Sequence, residues 1–209
     1  MISKRRLLKN SRLYVILDKE TTPKPLSLVK QLIKDNFISI FQLRDKVSPK
    51  AIILSEAKHI KYLLKKTKTI FIINDYADIA KLTNADGLHL GQNDLPIKEA
   101  RKLLGRNKII GISCHSPKEA REAERSGADY IGFGPIFQSP TKPEYKAIGT
   151  GSLRKVMRRI KIPVFAIGGI NTKNLKQAKG QGVERIAVCS LISKTKHPSY
   201  TIQRLNQIL

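Results

Sequence analysis

The chain has 209 residues, 41% of them hydrophobic, and carries 40 Lys plus Arg against 16 Asp plus Glu, a formal net charge of +24. That length suits one domain with a full core and leaves little room for a second. The charge attracts anions of any kind, nucleic acid and phosphorylated metabolites alike, and by itself does not choose between them. Because the lysines are scattered over almost every predicted helix, most of them read as a solvated surface.

Taken in chain order, residues 1–11 form a basic N-terminal arm carrying Lys4, Arg5, Arg6 and Lys9, expected to be frayed. The apolar run that follows, Leu13 to Leu17, is too short for a signal-peptide core or a membrane span. It is the first of eight short runs rich in Val, Ile and Phe. The others lie near Ile38 to Leu43, Thr69 to Ile73, Gly87 to Leu90, Lys108 to Ile112, Tyr130 to Phe133, Val164 to Ile167 and Arg185 to Val188. Between runs, Ser48 to Lys65 and Pro117 to Ser126 repeat apolar residues three or four apart behind a Ser or Pro start signal, which predicts helices. Gly127-Ala128 and Gly182-Val183 stand where a helix must turn back into a strand, a place for glycine in the left-handed conformation. The stretch Phe137 to Thr150 has no helical period and is long for a connection of this type, so a mobile lid is expected there.

This alternation predicts βα units with parallel strands. A doubly wound sheet uses the same units, but ligand-type residues after so many strands favour closure into a single-domain (β/α)8 TIM barrel spanning residues 1–209. In such a barrel the C-terminal strand ends converge on one face, so residues distant in sequence share one pocket.

Those strand ends carry the chemistry. Gln42, Arg44 and Lys46 alternate after the second run and can share one face, while Asp45, Asp75 and Asp94 or a ligand phosphate would balance the cations. Asp75 and Asp94, each beside an amide side chain, supply two carboxylates to one pocket, the usual minimum for hydrated magnesium near a phosphate. Read singly, each is also suited to cap the helix after it. Gly168-Gly169-Ile170-Asn171 is expected to open a helix and to present backbone N–H groups to an anion, with Cys189-Ser190 doing the same after the eighth run.

Ser113, Cys114 and His115 end the fifth run, but neighbours on a strand point to opposite sides, which excludes a Cys-His nucleophile. His115 is left with two readings, proton carrier or helix cap. Two cysteines at the ends of buried runs suit reduced thiols in a cytoplasmic enzyme, and no His/Cys spacing resembles a zinc site.

The segments Phe41-Gln42-Leu43-Arg44-Asp45-Lys46, Asn74-Asp75, Asp86 to Asp94 and Gly134 to Lys142 together resemble thiamine phosphate synthase, from Leu13 to Ser190. The resemblance implies a magnesium-dependent transferase that joins a pyrimidine methyl diphosphate to a thiazole ethyl phosphate and releases pyrophosphate. It implies that Gln42, Leu43, Arg44, Asp45, Lys46, Asn74 and Ser113 hold the pyrimidine diphosphate, and that Asp75 and Asp94 ligate Mg2+. It further implies that Ser139, Pro140, Thr141, Gly169, Cys189 and Ser190 grip the thiazole phosphate, with Lys142 bridging toward the pyrophosphate. Arg44, Lys46, Lys142 and Ser113 would carry the catalytic contribution. Asn93 stands where the family often has an acidic residue and Ser139 where threonine is common; neither removes a ligand type.

A thiazole tautomerase-like isomerase is the nearest rival, and Asn74, Asp75 and Asp94 argue against it because that relative lacks them. A basic nucleic-acid-binding protein is the rival from another class. The chain has no Trp and no interleaving of aromatic and basic residues, so no specific nucleic-acid partner is expected. The expected partners are the two small phosphorylated substrates, with no membrane; assembly as a homo-oligomer is compatible with all of this.

Overall fold

The computed structural model describes residues 4–35, 37–138 and 146–209. Eight parallel strands close into a barrel in sequence order, β1 (Leu13–Asp18), β2 (Ile40–Arg44), β3 (Ile70–Asn74), β4 (Gly87–Leu90), β5 (Ile109–Cys114), β6 (Tyr130–Phe133), β7 (Val164–Ile167) and β8 (Ile186–Val188). Each of the eight predicted runs became a strand. Around the barrel stand α2 (Pro25–Leu32), α3 (Lys50–Leu64), α4 (Ala77–Leu82), α5 (Ile97–Leu104), α6 (Pro117–Arg125), α7 (Gly149–Arg159), α8 (Leu175–Lys179), α9 (Ser190–Ser193) and α10 (Pro198–Ile208), preceded by α1 (Lys4–Asn10).

Alternation along the strands divides the core in two. Leu13, Val15, Leu17, Phe41, Leu43, Phe71, Ile73, Leu88 and Leu90 belong to an outer layer beneath the helices, while Tyr14, Ile16, Ile40, Ile70, Ile72, Ile109, Tyr130 and Phe165 fill the barrel. Both layers are dry because parallel strands are covered on both faces. Gly127 and Gly182 adopt φ of 87° and 93°, the left-handed turn expected of them.

The basic start departs from expectation. Residues Lys4–Asn10 are helical, and Leu8 joins the interior cluster with Ile40, Ile70 and Ile109, closing the N-terminal end of the barrel. Its cations hold it there: Arg5 Nε lies 2.9 Å from Asp129 Oδ1 and Lys4 Nζ 3.3 Å from Asp86 Oδ2. The two aspartates are fixed in turn, since Asp86 accepts the Phe71 N–H and Asp129 the Ile110 N–H. A frayed arm was expected because charge density suggests solvation, and the acidic partners are distant in sequence.

Candidate active site

The C-terminal ends of the strands enclose a cavity of about 770 Å3. Of the residues expected at the site, Gln42, Arg44, Lys46, Asn74, Asp75, Asp94, Ser113, Gly169, Cys189 and Ser190 line it, together with Gln92, Asn93 and His115. Ser139, Pro140, Thr141 and Lys142, with half of the expected lid, lie outside the described residues.

Two expected residues point elsewhere. Leu43 is buried in the outer layer, because it alternates with the inward-facing Gln42 and Arg44. Asp45 is buried too, but its Oδ1 accepts the Val47 and Ser48 N–H groups at 3.0 and 2.9 Å, bracing the turn into α3. Burial pushes its carboxyl up, yet the Ser48 and Val47 hydrogen bonds outweigh this and hold it below the usual range.

Asp45 therefore does not neutralise Arg44. Asp18 does, through an ion pair between Arg44 Nη1 and Asp18 Oδ2 at the end of β1. The same alternation that puts Tyr14 and Ile16 inside puts Asp18 at the mouth, a sign legible in the sequence and missed there. Lys46 Nζ lies 2.8 Å from Asp75 Oδ2.

Alternation after the inward Asn74 would send Asp75 outward. Its φ of 60° breaks the pleat instead, and the carboxylate faces the cavity. Asp75 and Asp94 lie close enough for each carboxylate to shift the titration of the other, so one proton or one cation between them relieves the repulsion. Burial, opposed by Lys46 and reinforced by Asp94, raises the Asp75 carboxyl. Burial acts on Asp94 the same way, but the contacts with Asp75 and the Gly91 N–H prevail and lower it. The helix caps considered for the pair are absent: α4 begins behind Tyr76 and α5 behind Pro96, neither with a side-chain cap, and Asp94 Oδ2 accepts the Gly91 N–H at 2.7 Å. A small divalent cation fits this donor set. Among the described residues no group of three or more His, Cys, Asp or Glu is arranged around a metal, so water and a ligand oxygen would complete its shell.

Across the mouth, Gly168 and Gly169 adopt φ of 94° and 63°. A Cβ on Gly169 would stand 2.5 Å from the Gln138 carbonyl oxygen, so the close approach of the two loops requires glycine. The expected helix does not start there. Asn174 donates to the Gly169 carbonyl at 2.8 Å and accepts the Asn171 N–H at 2.8 Å, and α8 begins only at Leu175. The anion-facing feature is thus a braced loop. Ser190 does open α9 directly after β8, with Cys189 Sγ 3.6 Å from Thr21 Oγ1.

His115 does not cap α6; Ser116 does, accepting the Glu119 N–H at 3.2 Å. The His115 Nδ1–H donates to the Gly134 carbonyl at 2.6 Å and the ring stands at the cavity rim. Cys114 faces the outer core, where burial pushes its thiol up to about 12, consistent with an inert thiol.

Below the cavity runs a group that sequence reasoning overlooked. His89 is buried at the cavity floor, with Nδ1 2.9 Å from the Tyr130 hydroxyl and Nε2 3.0 Å from Ser113 Oγ. Burial lowers its pKa to about 4 against a small opposing effect of Asp94, so the ring is neutral. The Tyr130 hydroxyl is 2.9 Å from that of Tyr14, which accepts from Gln42 Nε2. The inward positions of Gly87-Leu88-His89-Leu90 carried this signal, hidden because Tyr14 and Tyr130 look like ordinary core aromatics.

The model of a family described as thiamine monophosphate synthase matches residues 13–192. A thiamine-phosphate synthase of Halalkalibacterium halodurans is 43% identical over 97% of each chain. One from Pyrococcus horikoshii is 39% identical over 95% of this chain and 94% of its own. Among solved structures, the thiamine phosphate pyrophosphorylase from Pyrococcus furiosus is similar with a TM-score of 0.87 at 34% identity, covering 98% of this chain and 96% of that one. The 3-hexulose-6-phosphate synthase from Salmonella typhimurium, 18% identical with a TM-score of 0.68 and covering 95% and 98% of the two chains, shares the fold.

Proposed function

This chain belongs to the thiamine monophosphate synthase family, and from that premise we propose that it joins 4-amino-2-methyl-5-(diphosphooxymethyl)pyrimidine to 4-methyl-5-(2-phosphoethyl)thiazole, giving thiamine phosphate and pyrophosphate. What supports the reading is the meeting, at one cavity mouth, of the Asp75 and Asp94 carboxylates with Lys46 and Arg44, opposite a loop cradle at Gly169 and Ser190. Two anions, a diphosphate and a monophosphate, call for two such subsites.

In this account the bond between the pyrimidine methylene carbon and the diphosphate oxygen breaks, and the thiazole nitrogen lone pair forms the new bond to that carbon. The electron-rich pyrimidine supports the cationic carbon between those events, so the protein needs no nucleophile of its own. Arg44 and Lys46 neutralise charge growing on the leaving group, the electrostatic contribution that often dominates enzymatic rate enhancement. Arg44 suits a two-pronged contact with a phosphate and Lys46 a point charge. Gln42 and Asn74 hold the pyrimidine diphosphate and Ser113 donates to it. Gly169, Cys189 and Ser190 grip the thiazole phosphate, which places the attacking nitrogen. Ser139 through Thr141 join that grip and Lys142 reaches the diphosphate, roles carried by the resemblance alone.

Asp75 and Asp94 would hold Mg2+, which when bound supplies Lewis-acid neutralisation of the departing diphosphate. Ion-pairing with Lys46 keeps Asp75 facing the mouth. Among the described residues no helix is long and apolar enough to cross a membrane, and both cysteines are free thiols, which suits the cytoplasm.

Incubation of the purified chain with both substrates and magnesium tests the proposal. Thiamine phosphate and pyrophosphate should appear in equal amounts, and neither should form when the thiazole phosphate is replaced by buffer. Isomerisation of the thiazole without coupling would move the chain to the tautomerase reading.

A further inference from the structure

The five polar groups beneath the cavity form an unbroken line across the barrel, from Gln42 on β2 through Tyr14 on β1, Tyr130 on β6 and His89 on β4 to Ser113 on β5. Gln42, Tyr14, His89 and Tyr130 are all buried, and Gln42, His89 and Ser113 reach the cavity while the two tyrosines do not. The packing is built around the line. Tyr130 meets Phe165 edge to face with ring centroids 5.6 Å apart and lies 5.5 Å from the His89 ring. A Cβ at Gly111 would stand 2.0 Å from Tyr130 Cζ, so only glycine there admits the ring.

Such a line has one of two polarities, because each hydroxyl donates one hydrogen and a neutral imidazole donates from one nitrogen only. Gln42 Nε2 can only donate, so the Tyr14 oxygen accepts and its hydrogen goes to Tyr130. Tyr130 then donates to His89 Nδ1, which forces the proton onto Nε2, and Nε2–H donates to Ser113 Oγ. The Ser113 hydrogen is thereby released to donate into the cavity. The opposite polarity would spend that hydrogen on His89 and turn a lone pair of Ser113 toward the cavity, the wrong sign for a phosphate. It would also require the acceptor oxygen of Gln42 to face Tyr14. With Nε2 committed to Tyr14, that oxygen lies on the other arm of the amide, matched to a ligand that brings an N–H donor.

We propose that Tyr14, Tyr130 and His89 are positioning residues that lock the amide of Gln42 and the hydroxyl of Ser113 into complementary orientations. One polarised line thus selects a ligand presenting an amino donor at Gln42 and an anionic oxygen at Ser113. Its consequence for turnover rests on the function proposed above, whereas the polarity itself does not. Cooperative polarisation along such a line is why one broken link is felt at both ends.

The test reads the His89 tautomer directly by nitrogen-15 NMR of the imidazole in the full chain without substrate. In the native protein we expect a neutral ring with the proton on Nε2. Gln42→Glu sets an acceptor-only carboxylate against Tyr14, which must then donate to it; every later bond reverses, and the His89 proton should move to Nδ1. A native ring protonated on Nδ1, or a tautomer unmoved by Gln42→Glu, would overturn the proposal. In a separate arm, Tyr130→Phe keeps the ring and removes the central link. We expect kcat/KM for the pyrimidine diphosphate to fall by about tenfold, roughly what one buried hydrogen bond is worth. The KM for the thiazole phosphate should stay within about twofold, since an orientation fault at Gln42 and Ser113 spares that subsite. Equal losses toward both substrates would mean general loosening and would also overturn it. A chain with the expected tautomers but no synthase activity would refute the reaction and leave the polarised line standing.

Discussion

His89 makes the stability of this barrel depend on pH between the ordinary histidine value of 6.5 and about 4. Folded, its pKa falls from the ordinary 6.5 to about 4, chiefly because burial penalises the charged ring. Between those values the unfolded chain binds a proton that the folded one refuses, so stability is full above about 6.5 and is lost as pH falls toward about 4. The whole effect amounts to about 3 kcal/mol, each pKa unit being worth about 1.4 kcal/mol. At about pH 5 the loss should already be about 2 kcal/mol. In urea this lowers the unfolding midpoint by about 1 M relative to neutral pH, for a slope of about 2 kcal/mol per molar. The carboxylates also respond over part of this range, so the informative quantity is a difference of differences. His89→Gln removes the titration, and its midpoint should fall by about 1 M less than that of the native chain between the two pH values. Equal falls in the two proteins would refute the claim that His89 is held neutral.

Asp75→Asn and Asp94→Asn should each reduce kcat by about a hundredfold or more and abolish saturable magnesium dependence. Thermal unfolding should show Asp75→Asn at least as stable as the native chain, because burial and Asp94 disfavour that charge in the fold; an unchanged magnesium titration in both variants would speak against the ligand assignment. For Gly111→Ala, whose new methyl would stand 2.0 Å from Tyr130 Cζ, we expect a loss of about 3 kcal/mol or failure to fold; native stability would show that the ring has room to move. Leu8→Ala should cost about 2 to 3 kcal/mol in denaturant unfolding, since Leu8 is buried in the barrel interior. A negligible cost there would restore the picture of a frayed basic arm.

The barrel was legible because parallel strands covered on both faces write themselves as dense apolar runs, and all eight appeared. The site was legible at strand ends where polar residues interrupt such runs, as at Arg44, Asn74 and Ser113. What stayed hidden depends on partners far apart in the chain. Asp18 and Arg44 pair across two strands, and α1 is held by Asp86 and Asp129. Asp45 was misassigned because a motif fixes residue order but not side-chain direction: it turns back to brace its own loop, while Asp75 escapes alternation only through a left-handed φ of 60°. The Gly168-Gly169 turn carries the sequence signs of a helix start, whereas the amides of Asn171 and Asn174 delay the helix to Leu175.

The most direct measurement is a crystal structure of the chain with thiamine phosphate, pyrophosphate and magnesium. One ion should lie between Asp75 and Asp94 against the pyrophosphate, with Arg44 and Lys46 on the same anion and the ester phosphate at Gly169 and Ser190. Aspartates turned from an empty cavity, or both anions bound away from the strand ends, would contradict that placement.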